Sequence, residues 1–476
     1  MVTTIKILGA DAKIEGNYPI DVVVDITSYY KQGYRFMQRY RTGKWDGRIR
    51  LFSKFRKTFP AGLVKDVTEA LEKEGVKVKI DDQRSCPAIP PLSNFEFNTL
   101  HGVNFDYPYD FQVDCMEKMV LEQRGVIAVA TNGGKTEIAC LVTLCLRLPT
   151  LFMVPGKELL RQTRQRFMTR LALSEDDIGM IGDGVWKPGK WITVATVASL
   201  HRNLKKQKCI DFLNSIELVF ADEAHRVGAD SWYQVLRSCP AFFRYGLSGT
   251  PLKRTDGADL RLIAATGPMI YKIKNKDLIE RGISNQVEIR LLRVEEPFID
   301  PNTPYQDVYK LGITENIRRN RALCLEAARH VEKGRRVVML VTEIDHGHRL
   351  DSRLWTFKQK SFIPHQFIHG KESSEVREKA LKDFENGDLK VLISSTILDE
   401  GVDTPCIDVL ILAGGMKSYI KALQRIGRGI RKGGTSNKLI VIDTADFQHR
   451  YLLKHSLERL EAYKSEDCFE IVEVKK

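Results

Sequence analysis

The sequence predicts an α/β protein in which two tandem parallel-sheet lobes follow a small α+β domain. Short apolar runs at 126–130, 151–154, 192–195 and 218–221 alternate with longer helical patterns, as the strands and crossovers of a parallel sheet do. A second series, at 337–341, 391–394, 409–412 and 439–442, begins after Arg281-Gly282. Between Ser85 and Leu92 there are three prolines in eight residues, a stretch that can continue neither a helix nor a central strand. The expected domains are 1–82 (small, basic, α+β), a linker at 83–95, lobe one at 96–283, lobe two at 284–455 and a C-terminal tail at 456–476.

Within the first domain, apolar residues at 64, 67, 70 and 71 give Val64 to Glu74 a helical spacing closed by Gly75, and Val76 to Ile80 alternates as a strand. From Lys31 to Lys57 ten Lys or Arg residues face a single acid, Asp46, and are interleaved with Tyr34, Phe36, Tyr40, Trp45, Phe52 and Phe55. Cations that neutralise phosphates beside aromatic faces that stack on bases suit a nucleic-acid strand. Arg35, Arg39, Arg41, Lys44, Trp45, Arg48 and Arg50 are the expected contacts. The plainer reading is a two-stranded ribbon with aromatics in its core and cations in solvent, which is expected for about half of these residues.

Three motifs then stand in order. Val129 to Thr136 reads as a strand end, a glycine-containing loop and a helix start, where Thr131, Asn132, Gly133 and Gly134 would cradle phosphate oxygens. Lys135 would reach the β- and γ-phosphates of ATP, and Thr136 would ligate Mg2+. Val129 occupies the first glycine position of the usual pattern, and Asn132 one where glycine or a small residue is common; Asn tolerates left-handed backbone better than most residues. Asp222 and Glu223 follow the apolar run Leu218 to Ala221, so both carboxylates sit at a strand end. One can hold the metal while the other orients or deprotonates water, with His225 as a coupling residue. Gln424 to Arg431 places Arg425, Arg428 and Arg431 at i, i+3 spacing. If Arg428 and Arg431 reach the γ-phosphate, they contribute about 10³ to 10⁵ in rate. Taken singly, each motif also fits a core turn, an acidic helix start or a basic surface helix.

The ordered set resembles the superfamily 2 DEAH-type DNA helicases, over roughly Asp110 to Ile442, and the resemblance implies two RecA-like lobes using ATP and Mg2+. Phe111-Gln112 resembles the adenine-reading motif, although Tyr109 stands where arginine is common. Pro155, Gly156, Lys157 and Gln162, then Thr196, resemble strand-contact motifs, and Ser248-Gly249-Thr250 the motif that couples hydrolysis to unwinding. Asp345-His346-Gly347, His369-Gly370 and Ser395-Thr396 resemble backbone-tracking elements of lobe two, and Gly401 with Asp403 its nucleotide-sensing loop. The strings Gly33 to Phe36 and Gly43 to Leu51 are similar to the opening domain of the phage UvsW family. That family implies branch migration and fork remodelling in recombination, replication and repair. It also implies branched or forked DNA as partner, a monomeric motor, recombination or single-strand-binding proteins as associates, and a cytoplasmic location, the bacterial host's for a phage-encoded chain.

The formal charge of +13, from 74 Lys and Arg against 61 Asp and Glu, favours a polyanionic partner without naming it. Nine scattered cysteines without a Cys-x-x-Cys pair read as reduced core thiols. The most apolar stretch, Ile138 to Pro155, is broken by Arg147 and Pro149 and is too short to span a bilayer, so no membrane partner is expected. Three rivals stay open: a double-strand DNA translocase that leaves strands paired, an RNA helicase, and a binding scaffold with a decayed ATP site. The lobes would track a backbone of either sugar, which keeps RNA–DNA hybrids among the substrates. Trp186 with Trp191, and Trp355 with Phe357, are candidate wedge loops, but a turn before a strand and a helix end explain them as well, and the sequence does not identify the wedge.

Overall fold

The computed structural model describes residues 2–90, 109–249, 257–354, 363–395, 407–415 and 438–474. Contacts divide the chain into two compact units, one of residues 1–129 and 134–272, the other of 130–133 and 273–476.

The first unit opens with strands β1 (Thr3–Ile7) and β2 (Asp11–Glu15), a ribbon of β3 (Ser28–Tyr30) and β4 (Arg48–Arg50), then β5 (Thr58–Pro60), the Val64–Lys73 helix and β6 (Val78–Asp82). The order β5-β2-β1-β6 forms one sheet, and β3 pairs with β4 antiparallel. Helix and final strand fall where the apolar spacing puts them. Val64, Val67 and Leu71 face the core of this domain together with Ile5, Ile14, Phe52 and Phe59.

Lobe one adds β7 (Arg124–Val129), β8 (Thr150–Val154), β9 (Ile178–Gly182), β10 (Val185–Lys187), β11 (Ile192–Thr196), β12 (Leu218–Ala221), β13 (Phe243–Ser248) and β14 (Met269–Ile273). Their order is β10-β9-β11-β8-β12-β13-β7-β14. The central pairs are parallel, and β13 lies between β12 and β7 with Ala221 opposite Gly246 and Ser248 opposite Ala128. That register brings the C-terminal ends of β7, β12 and β13 to one rim, the usual binding edge of such sheets.

The basic domain is continuous with lobe one. Ala264, from the Ala258–Thr266 helix, is buried in the domain's own core, and Leu260, Ile263 and Tyr233 pack against it. Arg237 ion-pairs with Asp11, and Arg124 donates to the Gly9 carbonyl at 3.1 Å. Removing residues 1–82 would therefore strip the cover from lobe-one side chains, which a linker at 83–95 alone does not suggest.

In the second unit, β15 (Gln286–Val294), β16 (Val337–Leu340), β17 (His365–Ile368), β18 (Val391–Ser394), β19 (Val409–Leu412), β20 (Lys438–Asp446) and β21 (Phe469–Val474) form a sheet of order β17-β18-β16-β19-β20-β15-β21. The segment expected as a tail is structured: the Arg450–Lys464 helix buries Leu452 and Tyr463, and β21 pairs in parallel with β15, Val287 opposite Phe469. Its apolar alternation is short and charge-diluted, so the sequence pattern hid an edge strand. Buried arginines fasten this lobe. Arg319 pairs with Asp446 at 3.1 Å and donates to the Ala413 carbonyl at 2.7 Å, while Arg459 and the Tyr463 hydroxyl both reach Asp443 at 2.7 Å.

Cys115, Cys140, Cys145, Cys209, Cys239 and Cys324 are buried and free. No helix among the described residues is long and apolar enough to cross a membrane. Gly62 tests the domain junction, because a Cβ there would stand 2.0 Å from the Ile263 carbonyl oxygen and 2.8 Å from that of Ala264. Neither backbone oxygen can swing away. Gly62→Ala should destabilise the protein by about 1–3 kcal/mol, read as a lower urea midpoint, whereas Gly33→Ala, in open space, should cost only its left-handed strain.

Candidate functional site

The site grows from three strand ends of lobe one. After β7 the chain turns through a loop in which the Gly133 N–H donates to the Ala130 carbonyl at 3.0 Å. Asn132 has φ +75° and Gly134 φ +74°. Asn132 thus adopts the left-handed backbone for which its side chain is suited. Gly134 has no substitute, because a Cβ there would lie 2.4 Å from Gln112 Nε2. Lys135 then opens the Lys135–Leu146 helix with Thr136 beside it. Gln112, buried, accepts from the Tyr109 N–H at 3.2 Å, so its amide is fixed against the loop from the start of the Asp110–Glu122 helix.

Asp222 follows β12 and is 7% exposed; its carboxylate accepts from the Glu223 N–H at 2.9 Å. Burial, then the neighbouring Glu223 charge, pushes its pKa up to about 6, and Lys135 opposes the shift. Lys135 and Asp222 are therefore electrostatic neighbours. Glu223 has φ +49°, a left-handed conformation that a non-glycine residue adopts at a cost and that clusters at functional sites. It aims the carboxylate away from the strand, with Oε2 3.4 Å from His225 Nδ1. Ser248, at the end of β13 and buried, lies on the strand between these two motifs.

Arg261 was missed by sequence reading, since nothing in its spacing marks it. It donates to the Gly228 carbonyl at 2.9 Å and to Asp230 at 2.5 Å, fixing the far end of the turn that begins at Glu223. Its guanidinium carbon also lies 5.8 Å from the Tyr29 ring of the basic domain and 5.4 Å from Tyr233. The turn that follows Glu223 and β3 thus share one side chain.

Pro155, Gly156 and Thr196 meet at the ends of adjacent strands, with Val154 opposite Thr196. The Thr196 hydroxyl is turned inward to Ser199 at 2.9 Å. Lys157 and Arg161 ion-pair with Asp183, and Gln162 is exposed on the same Lys157–Leu171 helix. In the second unit His369, Gly370 and Ser395 converge through the pairing of β17 with β18. His346 differs from its expected tracking role: it is buried, 2.9 Å from Asn320 Oδ1, and desolvation lowers its pKa to about 3, so it is a core residue. Trp186 differs likewise, packing on Phe212 with Lys208 over its ring at 4.5 Å. Thr250, Trp355, Phe357, Thr396, Gly401, Asp403, Gln424, Arg428 and Arg431 lie outside the described residues.

The basic stretch sorts into three groups. Phe52 is in the core; Tyr30, Tyr34 and Tyr40 pack on one another; the Trp45 indole donates to the Arg48 carbonyl at 2.9 Å. Arg48 and Arg50 are ion-paired with Asp25 and Asp46, and Arg35 donates to the Tyr34 hydroxyl at 3.2 Å. Arg39, Arg41 and Lys44 are exposed and meet no carboxylate among the described residues. These three are the better phosphate candidates.

A raised carboxyl pKa means stability that is present below the unfolded value near 4 and lost as pH rises through about 6. Asp222→Asn should therefore be more stable than the parent nucleotide-free protein at pH 8, by about 1–3 kcal/mol. The advantage should shrink toward pH 5, measured by thermal melts; a pH-independent difference would show that Asp222 carries no such burden.

Three family models match the chain: "DNA helicase UvsW, N-terminal" over residues 10–81, "Type III restriction enzyme, res subunit" over 107–253 and "Helicase conserved C-terminal domain" over 318–433. The ATP-dependent DNA helicase uvsW of Enterobacteria phage T4 is 25% identical, covering 93% of each chain. The DNA 3'-5' translocase XPB2 of Sulfurisphaera tokodaii is 25% identical over 71% of this chain and 82% of its own. In fold, the chain is similar to S. cerevisiae Dbp5 bound to RNA and ADP BeF3, with a TM-score of 0.53 at 17% identity over 77% of this chain and 90% of that one. With two RecA-like parallel sheets, a buried Asp222 whose electrostatic neighbour is Lys135, and a matching first domain, the chain is an ATP-dependent helicase of superfamily 2 with a UvsW-like N-terminal domain.

Proposed function

We propose that the chain is a DEAH-type DNA helicase that remodels branched DNA by branch migration, fork regression and unwinding, in recombination, replication and repair. The observation that carries this reading is the fusion of a basic UvsW-like domain to the ATP-site lobe in one compact unit, with Arg261 common to both.

In this reading Lys135 and the loop amides from Thr131 to Gly134 hold the triphosphate of ATP, and Gln112 reads the adenine. A divalent cation fits the site, because Asp222 is a buried carboxylate held in an unfavourable ionisation that a bound cation would relieve. No cluster of three or more His, Cys, Asp or Glu stands among the described residues, which suits Mg2+ held by one carboxylate, the Thr136 hydroxyl, phosphate oxygens and water. When bound, Mg2+ supplies charge neutralisation at the β- and γ-phosphates. Glu223 takes the proton of the attacking water, and His225 restrains Glu223. Gln424, Arg428 and Arg431, with Gly401 and Asp403, keep the γ-phosphate and sensing roles that the resemblance assigns them. Pro155, Gly156, Lys157, Gln162, Thr196, His369, Gly370, Ser395 and Thr396 are proposed to line the strand path.

Branch migration breaks one pair as it makes another and is nearly thermoneutral, whereas plain unwinding loses about 1.4 kcal/mol of stacking per step. A motor of this kind needs less free energy per base pair for the first than for the second. Similarity to a protein named as a translocase supports a second reading, motion along duplex without strand separation.

Under ATP, a four-way junction and a fork should be converted faster than a tailed duplex, and Glu223→Gln should abolish conversion of all three. Opening of the tailed duplex alone would make it a conventional unwinding helicase, and ATPase stimulated by blunt duplex without strand exchange would make it a translocase. Lys135→Ala should reduce ATP turnover by at least about 10³-fold while junction binding in gel shifts stays within about threefold of the parent.

A further inference from the structure

The turn from Ser53 to Thr58 projects from the basic domain on a fixed base. Its ends are joined by the Ser53 N–H to the Thr58 carbonyl at 2.8 Å and by the return bond at 3.3 Å. Ser53 Oγ accepts from the Arg56 N–H at 3.3 Å, and Lys57 closes the turn with φ +53°. On either side Phe52 and Phe59 are buried, 6% and 1% exposed, and Thr58 pairs with Lys13 of β2. Phe55, between them in sequence, is 97% exposed, the most exposed large apolar side chain among the described residues.

An aromatic ring held off the core by so well anchored a turn is not packing anything in the protein. Its neighbours Lys54, Arg56 and Lys57 are all exposed cations, and none meets a carboxylate among the described residues. One flat apolar face flanked in sequence by three exposed positive charges is complementary to one flat base on a phosphate backbone. In continuous duplex the bases are stacked on one another and offer no free face. The match is therefore to a base that has lost its neighbour, as at a branch point. A lipid surface shares the charge complementarity, but a single ring buries too little apolar area for stable seating.

We propose that Phe55 is a stacking pin for an unpaired base at a DNA branch point, with Lys54, Arg56 and Lys57 on the adjoining phosphates. This rests on the DNA-remodelling reading and adds where the branch is engaged. Neither candidate wedge, Trp186 nor Trp355, is needed for it.

The test uses the full chain, a fork carrying 2-aminopurine at the branch point, and a blunt duplex of the same length. Phe55→Ala should abolish the change in 2-aminopurine fluorescence on binding and weaken fork binding by between about 5- and 150-fold, leaving blunt-duplex affinity and DNA-free ATPase within about twofold. Phe55→Trp should restore both fork signals. Because the ring is solvated, truncation leaves the core intact. If the parent protein gives the fork signals and Phe55→Ala keeps them, the pin is overturned while the remodelling reading stands. If the parent binds neither DNA, both fall; binding to anionic phospholipid vesicles that disappears in Phe55→Ala would reassign the turn to a membrane and overturn the pin.

Discussion

The seating of the Ala258–Thr266 helix constrains everything on the first unit. One of its faces lies on lobe one, where Leu262 and Ala265 join the core that also holds Ala221 and Ala224. The other closes the basic domain through Ala264, with Gly62 pressed against the Ile263 carbonyl. Arg244 fixes the arrangement from beneath, donating to the Ala265, Cys239 and Leu236 carbonyls at 2.9, 2.8 and 2.6 Å. A charge so buried is tolerated because three carbonyl dipoles replace its water. A shift of the turn after Glu223 is therefore felt by a helix that is also a wall of the basic domain, and packed interfaces of this kind respond in discrete steps.

The proposed hydrolysis site is a place where local rules are broken together. Asp222 is buried beside the Glu223 charge with only Lys135 opposing, Glu223 is left-handed without being glycine, and Asn132 replaces the usual small residue with a left-handed backbone of its own. Each departure alone costs stability. Jointly they hold carboxylates and loop amides in positions that a triphosphate and a cation would reward, which is the pattern expected of a preorganised site. Asn132 in particular takes a left-handed φ that asparagine tolerates better than most residues, so its departure from the usual pattern is compatible with a tight loop.

Much of this was legible because it rests on period and punctuation. The buried strands β7, β8, β11 and β12, and β16, β18, β19 and β20, are apolar runs bounded by turns, and each appears at its expected place. Strand order was not legible: nothing in Phe243–Ser248 says that it inserts between β7 and β12, because order follows from crossover packing across the whole lobe. Edge strand β21 escaped because Glu470 and Glu473, three residues apart, break the alternation of its apolar residues. Buried polar residues escaped for a different reason. Arg244, Arg319, His346 and Arg459 look like surface or functional residues in sequence, and only their buried carbonyl and carboxylate partners show them to be structural.

The basic stretch shows why composition locates an interface without drawing it. Ten cations and six aromatics between Lys31 and Lys57 are a single signal in sequence. Folding divides them by whether a partner lies within reach: Asp25 and Asp46 take Arg48 and Arg50, the tyrosines take one another, and the core takes Phe52. What folding leaves over is the informative part. Arg39, Arg41 and Lys44 on one segment, and Lys54, Phe55, Arg56 and Lys57 on another, have no internal use that explains their exposure. Exposed surface charge costs little, but a solvated phenyl ring forgoes about 1.5–3 kcal/mol of burial that its neighbours Phe52 and Phe59 obtain. A turn whose geometry enforces that loss is best explained by a ligand that repays it, and a nucleic-acid strand with a free base face does so with a single ring, where a lipid surface needs more apolar area for stable seating.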